Sequence, residues 1–265
     1  MNLKAKREIK SPAKEGIKLS NLLVPGLKVC LIFPHGLGDV VMFRPVLDKL
    51  RKDFPNVLIH IMTRPDFGEL DDHDENIEYD LAFWLEYPCA TSSHPEFTKN
   101  TLCCSLELGI RPPITDRPIA PHGYKSPWVG IGCTSIACKS QNTPSAYEAA
   151  ELNKGVLDAG FIPVDTAMIS SGFVFEGKSP MACDLRKIEG TYEKLVGVIE
   201  RCYAFIGTIS GAYHVAQAIM PERTLMLCPR AGEWQRLYRF APMHINMRDV
   251  TADKITEWLL SLPEK

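Results

Sequence analysis

The sequence has no strong net charge, no long apolar run and no paired-cysteine metal motif. Its formal net charge of −2 at pH 7 gives no overall attraction to nucleic acid or to an anionic membrane. No stretch approaches the roughly 18–20 apolar residues that a membrane-spanning helix needs, and the basic N-terminus lacks the apolar core of a secretory signal. We therefore expect a cytoplasmic protein without an integral membrane segment.

The nine cysteines do not have the spacing of a metal site. Cys103 and Cys104 are adjacent, Cys133 and Cys138 are separated by four residues, and no C-x-x-C pair occurs. Scattered cysteines in an odd number are typical of reduced thiols in a cytosolic protein, most of them packed as small core hydrophobes. We interpret the acidic cluster around His73 as a solvated loop. The sequence therefore predicts no bound metal and no cofactor.

The start of the chain is basic. Six cations stand against two acids among the first eighteen residues: Lys4, Lys6, Arg7, Lys10, Lys14 and Lys18 against Glu8 and Glu15. We interpret residues 1–27 as a solvated, frayed N-terminal tail. A docking arm for phosphates or anionic lipid is the alternative.

The next segment has the pattern of a βαβ unit. An apolar run over residues 28–33 ends at Pro34-His35-Gly36, which predicts a buried strand and a turn. Apolar residues then recur with helical period from Gly38 to Pro55, and residues 57–62 form the next apolar run. Strand, helix and strand within about 35 residues predict a parallel sheet with a right-handed crossover.

A second α/β series follows a proline-rich stretch at residues 111–127, which we interpret as an interdomain linker. Before the linker we expect a strand at 81–84 and a helix at 96–108. After it we expect strands at 128–132, 161–164, 203–207 and 224–228, and helices at 144–159, 191–202, 211–220 and 251–260. The sequence thus predicts an α/β protein of two facing, doubly wound domains, residues 28–125 and 126–265. Ligands should bind at the carboxyl ends of the strands.

The first candidate site is the junction from His35 to Asp39, where we expect His35, Gly36 and Gly38 to bind the substrate or donor. Gly36 and Gly38 let the backbone approach a ligand closely, and the free amides at the start of the helix attract anions. Asp39 has two interpretations. It is either a first-turn acid that complements the helix dipole or a general base that takes a proton from an attacking hydroxyl.

The second candidate site joins the strand at 203–207 to the helix that follows. Ser210 is placed to cap that helix. The backbone amides from Gly211 onward are placed to bind a diphosphate. His214 falls in the first turn, where it is either a contact to the same anion or to a sugar hydroxyl, or a structural histidine.

A third candidate lies in the loop after the strand at 128–132. Thr134, Ser135 and Lys139 supply hydroxyls and one cation that suit a phosphate. A solvated polar loop would have the same residue types.

The first two junctions together resemble those of the heptosyltransferase-like (ADP-heptose:LPS heptosyltransferase) glycosyltransferases of the GT-B fold. The N-terminal match runs from Gly38 to Leu47 and continues through Phe54-Pro55 to the strand from Val57. The C-terminal match is the helix at 191–202 with the segment from Ile206 to Ala218.

The resemblance implies inverting transfer of a sugar from a nucleotide-sugar donor to an acceptor hydroxyl. Asp39 would be the base, and Ser210, Gly211 and His214 would bind the donor, with Lys139 near its phosphates. No metal or other cofactor is needed in this scheme, since backbone dipoles, helix termini and a cation stabilise the departing diphosphate.

Three alternatives concern the acceptor and the activity. The acceptor is a saccharide of a surface glycan or, as in compact phage enzymes of this architecture, a hydroxylated base in DNA. The basic N-terminus and a series of arginines are compatible with a DNA acceptor. These arginines are Arg223, Arg230, Arg236 and Arg239. Because Ile209 stands where the family usually has an acid, a non-catalytic nucleotide-sugar binding module is the third alternative.

Overall fold

The computed structural model describes residues 3–85, 127–133, 144–166, 183–184, 192–228 and 243–263. The chain divides into two compact units. All described residues up to Leu85 belong to the first unit, and all from Pro127 onward belong to the second. The predicted helix at 96–108 and nearly all of the predicted linker at 111–127 lie outside the described residues.

The first unit contains a parallel four-stranded sheet and a long helix. Its strands are β1 (Lys4–Ala5), β2 (Glu8–Ile9), β3 (Lys28–Ile32), β4 (Leu58–Met62), β5 (Glu78–Tyr79) and β6 (Leu81–Trp84), and its helices are α1 (Pro12–Glu15) and α2 (Leu37–Asp53). The main sheet has the order β2-β6-β3-β4, and β1 and β5 form a separate parallel pair. Helix α2 buries an apolar face that includes Val40, Phe43 and Leu47, as its helical period predicts.

The N-terminal residues differ from the predicted tail. Strand β2 pairs in parallel with β6, with Glu8 opposite Ala82 and Ile9 opposite Phe83. Ile9 is buried, and Glu8 accepts a hydrogen bond from the Trp84 indole at 2.7 Å. Two-residue strands are too short to show an alternating pattern, so their pairing depends on a partner strand about 75 residues away in the sequence.

The acidic loop that follows β4 covers the edge of the sheet. Asp72 accepts a hydrogen bond from Ile61 N–H at 2.6 Å, and Asp71 accepts one from Thr63 N–H at 3.1 Å. Within the described residues β4 is an edge strand, and these carboxylates accept hydrogen bonds from main-chain N–H groups on its outer side. The acids of this loop thus have a structural role at the sheet edge.

The second unit contains a parallel six-stranded sheet. Its strands are β7 (Trp128–Gly132), β8 (Ile162–Asp165), β9 (Cys183–Asp184), β10 (Ala204–Gly207), β11 (Thr224–Cys228) and β12 (Met243–Asn246), and its helices are α3 (Ala146–Asp158), α4 (Tyr192–Ile199), α5 (Gly211–Ile219) and α6 (Ala252–Ser261). The order is β12-β11-β10-β7-β8-β9. Because β3 and β7 lie in different sheets, the prediction of two separate α/β units is confirmed. The predicted boundary between residues 125 and 126 stays a prediction.

Helices α3 and α6 pack closely at Gly155. A Cβ atom at Gly155 would lie 2.5 Å from the Ala252 carbonyl oxygen and 2.7 Å from Ile255 Cβ, whereas a Cβ atom at Gly197 in α4 would meet nothing within 4 Å. We expect Gly155→Ala to lower the free energy of unfolding by about 1–3 kcal/mol, because the added methyl overpacks the contact. The matched control, Gly197→Ala, should raise it by up to about 1 kcal/mol through helix propensity. Denaturant unfolding of both variants measures the sign of each change in the free energy of unfolding. Equal changes in the two variants would contradict the packing argument.

Candidate functional site

Each sheet has a topological switch point, and the two predicted glycine-containing junctions lie at these points. In the first unit the chain passes from β3 through α2 to β4 on one side, and β6 returns on the other side of β3. In the second unit β8 and β9 lie on one side of β7, and β10 to β12 lie on the other. Ligands of open α/β sheets bind at such points, outside the carboxyl ends of the strands. The strand orders therefore select the segments after β3 and β10.

The loop after β3 is held across the switch point of the first unit. His35 Nε2 lies 2.8 Å from the Leu85 carbonyl oxygen, and Leu85 directly follows β6. Because a carbonyl oxygen only accepts, Nε2 carries the hydrogen and donates. The imidazole also meets the buried Phe33 ring edge-on, with 4.5 Å between ring centroids. Burial lowers the pKa of His35 from its ordinary 6.5, and the Leu85 bond opposes that change, so the ring is neutral at neutral pH.

Asp39 lies in the first turn of α2, with its carboxylate half-buried. Oδ2 accepts a hydrogen bond from Gly36 N–H at 3.0 Å, which caps the helix. Burial raises the pKa of Asp39 from 3.8 to about 6, although the Gly36 hydrogen bond lowers it in part. Asp39 thus stabilises the helix start through its capping hydrogen bond, and its raised pKa is also the property that a general base near neutral pH needs.

Gly36 sets the position of that carboxylate. A Cβ atom at residue 36 would lie 3.2 Å from Asp39 Oδ2, a contact tighter than ordinary packing. A larger residue at 36 would therefore require this carboxylate to shift by a few tenths of an ångström. Gly38, by contrast, is part of the first turn of α2, half-buried beside Asp39.

The second junction connects β10 to α5 through Thr208, Ile209 and Ser210. Ser210 is the N-cap of α5, and its Oγ accepts a hydrogen bond from Tyr213 N–H at 3.3 Å. This agrees with the capping expected from the sequence. Gly211 is the first residue of the helix, and His214 is buried in the first turn, 4% exposed. The structure thus brings Ser210, Gly211 and His214 together at one helix start.

Two glycines at this switch point leave room for the Phe205 ring and for the neighbouring main chain. A Cβ atom at Gly132 would lie 2.5 Å from Phe205 Cζ, and one at Gly207 would lie 2.7 Å from the Gly132 carbonyl oxygen. Both positions are the last residues of their strands and stand opposite each other in register. Only glycine leaves the main chain this close at the point where a ligand would bind.

Two residues at these junctions, Leu85 and Thr208, were not predicted from the sequence. Leu85 contributes a backbone carbonyl, which no side-chain pattern reveals. Thr208 is fully buried, and its Oγ1 has no hydrogen-bond partner in the part of the chain that the structure describes. A hydroxyl next to the Gly207 junction was the available signal for Thr208. The third predicted group, Thr134, Ser135 and Lys139, lies outside the described residues, which end at Cys133 before that loop.

Several negative findings concern the same described ranges. No three His, Cys, Asp or Glu side chains within them are arranged to hold a metal ion. None of the helices in these ranges is both long and apolar enough to cross a membrane. Cys30, Cys133, Cys202 and Cys228 are buried free thiols, as expected for core cysteines.

The contacts of Arg223 show a structural role for this member of the arginine series. It is buried, donates to the Pro263 carbonyl oxygen at 2.6 Å and stacks over the Tyr203 ring at 4.8 Å. Its guanidinium therefore joins the start of β10 to the C-terminal segment. The other three arginines of the series lie outside the described residues.

Comparison with known proteins gives matches among solved structures only. The sequence matches no family model and no curated protein. The iron-containing, dodecameric glycosyltransferase TibC of enterotoxigenic Escherichia coli H10407 has a TM-score of 0.60 at 15% identity, covering 86% of this chain and 64% of TibC. This chain thus spans less than two thirds of the length of TibC. A further TibC structure is a complex with ADP-D-β-D-heptose.

Two other structures match over almost their whole length. The ADP-heptose LPS heptosyltransferase II of E. coli has a TM-score of 0.56 at 16% identity, covering 89% of this chain and 98% of the enzyme. The family 9 glycosyltransferase of Veillonella parvula DSM 2008 has a TM-score of 0.56 at 11% identity, covering 91% and 99%. At these identities the likeness establishes the fold. The chain therefore has the GT-B α/β fold of the heptosyltransferases and family 9 glycosyltransferases, as its two junctions indicated.

Proposed function

We propose that this protein is an inverting glycosyltransferase that moves a sugar from a nucleotide-sugar donor to an acceptor hydroxyl. One observation carries the proposal: at the switch point of the first sheet a half-buried aspartate, Asp39, has its pKa raised to about 6 by burial. A base with a pKa near the working pH combines ionisation with proton affinity, which is what general-base catalysis requires. The GT-B fold shared with known sugar transferases supports this choice of chemistry.

Asp39 takes the proton of the acceptor hydroxyl as that oxygen attacks the anomeric carbon of the donor. Oδ2 is occupied by Gly36 N–H, so Oδ1 is the oxygen assigned to the proton. The bond from the anomeric carbon to the nucleotide diphosphate breaks, and the diphosphate leaves. A single displacement inverts the configuration at that carbon.

The donor diphosphate binds at the start of α5. Ser210 orders this helix start, and the N–H groups from Gly211 onward carry the partial positive charge that stabilises the leaving diphosphate. His214 provides a polar contact in the same turn. Thr134, Ser135 and Lys139 are proposed to complete the phosphate contacts from the loop after β7. This scheme needs neither a metal nor another cofactor, and no step passes through the iron named for TibC.

The acceptor is proposed to be a saccharide hydroxyl of a glycan, with the reaction taking place in the cytoplasm. Two of the six N-terminal cations pair with acids, which lowers the positive charge available to a DNA acceptor at this end of the chain. Lys6 forms an ion pair with Asp80 and Lys10 one with Glu8, so neither charge is fully available to a phosphate backbone.

A thermal-shift panel of nucleotide sugars tests the donor class. A ligand that binds only the folded chain must raise the melting temperature. At a concentration 100 times its Kd, it adds about 2.7 kcal/mol to the free energy of unfolding. We expect a shift with at least one of ADP-heptose, UDP-glucose, GDP-mannose and dTDP-rhamnose, and a smaller shift in Gly211→Asp. The absence of a shift across such a panel, with ATP giving the only response, would overturn the proposed donor class.

A further inference from the structure

The His35 side chain connects the two strand ends at the switch point of the first unit. Its ring projects from the loop after β3 and donates a hydrogen bond through Nε2 to the carbonyl oxygen of Leu85, the residue that follows β6. The Leu85 N–H in turn donates to the Ile32 carbonyl at 2.9 Å, so Leu85 is fixed to β3 by its own main chain. The imidazole therefore ties the loop to the carboxyl end of β6, an inner strand of the sheet.

The orientation of this ring is determined from two directions. The edge-on contact with Phe33 fixes one side, and Phe33 is itself buried, with its ring centroid 4.8 Å from that of Phe43 in α2. The hydrogen bond to Leu85 fixes the other. A side chain held both by an aromatic contact and by a directional hydrogen bond restricts the backbone on which it stands.

That backbone is also the support of Asp39. Residue 36, directly after His35, donates its N–H to Asp39 Oδ2, and a Cβ atom there would press on the same oxygen. A movement of the loop would therefore displace the Gly36 N–H group, and with it the carboxylate that this group holds. Because the imidazole is neutral, it does this without placing a positive charge beside the acid.

We infer that His35 is a positioning residue, which acts through the Leu85 carbonyl to hold the loop that sets the place and the water exclusion of the Asp39 carboxylate. This role differs from the substrate or donor contact predicted for His35 from the sequence, which stays a prediction. It rests on the proposed function for its catalytic meaning, while the positioning itself is a property of the unliganded chain.

Titration of the Asp39 carboxyl group tests the inference without any substrate. The carboxyl ¹³C shift is followed against pH in protein labelled at aspartate, and Asp39→Asn identifies the signal. The two matched variants are His35→Phe, which keeps an aromatic ring but loses the donor, and His35→Gln, which keeps an N–H donor. Thermal unfolding is recorded for each variant.

In His35→Phe we expect the pKa of Asp39 to fall from about 6 by about one pH unit or more, since burial is the larger cause of its rise and a released loop admits water. His35→Gln should titrate close to the parent chain. Should the phenylalanine variant fail to fold, His35→Asn serves instead, because its amide is too short to reach the Leu85 carbonyl.

An unchanged Asp39 titration in the variant without a donor would overturn the inference, as would equal shifts in the phenylalanine and glutamine variants. Failure of the proposed function has a different signature. A fully active Asp39→Asn enzyme would reject the catalytic role of Asp39 while leaving the coupling between His35 and the carboxyl group intact.

Discussion

Asp39→Asn is expected to lower the turnover of sugar transfer by about 100- to 10,000-fold, the usual contribution of a general base. Asparagine keeps the size of the side chain and an oxygen for Gly36 N–H, but it has no basic carboxylate. Since Asp39 has a pKa near 6, kcat/KM of the parent enzyme should fall about tenfold for each pH unit below about 6. Steady-state rates from pH 4.5 to 8 with the donor identified by the thermal-shift panel measure both effects.

The stability of the same variant separates a catalytic from a structural aspartate. The pKa of Asp39 is raised on folding, so its ionisation favours the unfolded chain, and stability is lost as pH rises from 3.8 through about 6. Asp39→Asn removes this penalty. The variant should therefore melt above the parent chain at pH 7, and the difference should shrink as the pH falls toward 4.

Two outcomes would contradict this prediction. Undiminished transfer by the asparagine variant would exclude Asp39 as the base. A melting temperature lowered at pH 7, together with proportionate loss of folded protein, would instead identify Asp39 as the helix-stabilising acid of the alternative interpretation. The outcome we expect, a more stable and inactive protein, fits neither of these.

Gly211→Asp is expected to weaken nucleotide-sugar binding by about 10- to 100-fold, which corresponds to about 1.4–2.8 kcal/mol. The new carboxylate would stand at the first residue of α5, where the proposed diphosphate meets the helix N–H groups. Two like charges about 4 Å apart at a protein surface repel by about 4 kcal/mol, and screening by salt reduces this to the expected range. Isothermal titration calorimetry with the same nucleotide sugar measures the Kd.

The design of the control uses the helix dipole. An acid in the first turn favours the helix itself, so Gly211→Asp should not destabilise the free protein. The asparagine side chain of Gly211→Asn has the shape of aspartate without its charge, so this variant should bind the nucleotide sugar markedly more tightly than Gly211→Asp. The difference in affinity between the two variants should become smaller at high salt. Unchanged affinity in Gly211→Asp combined with His214→Ala would show that the diphosphate binds elsewhere.

The main elements were predictable from the sequence because their apolar patterns are local. Seven predicted strands correspond to observed ones: β3, β4, β6, β7, β8, β10 and β11. Their predicted ranges are, in the same order, 28–33, 57–62, 81–84, 128–132, 161–164, 203–207 and 224–228. The shortest strands, such as β2 and β9, were not predicted, since two residues carry no recognisable period. Ser210 capping was likewise predictable, because an N-cap depends only on neighbouring residues.

The environment of the site was not predictable in the same way. The sequence places His35 and Asp39 near a helix start but says nothing of Leu85, fifty residues later, whose carbonyl receives the imidazole. How basic the carboxylate of a first-turn aspartate is depends on how much of it the fold removes from water. That quantity is a sum over residues distant in the chain.

By itself, the sequence determined the two α/β series, the two glycine-containing junctions and the residue types that stand there, because hydrophobic period, turn chemistry and caps are local properties. Only the tertiary structure decided the strand orders that make those junctions the switch points of their sheets. It also decided the bond from His35 to Leu85 and the raised pKa of Asp39. These features depend on strand pairing and burial, which are non-local and arise only when distant segments pack together.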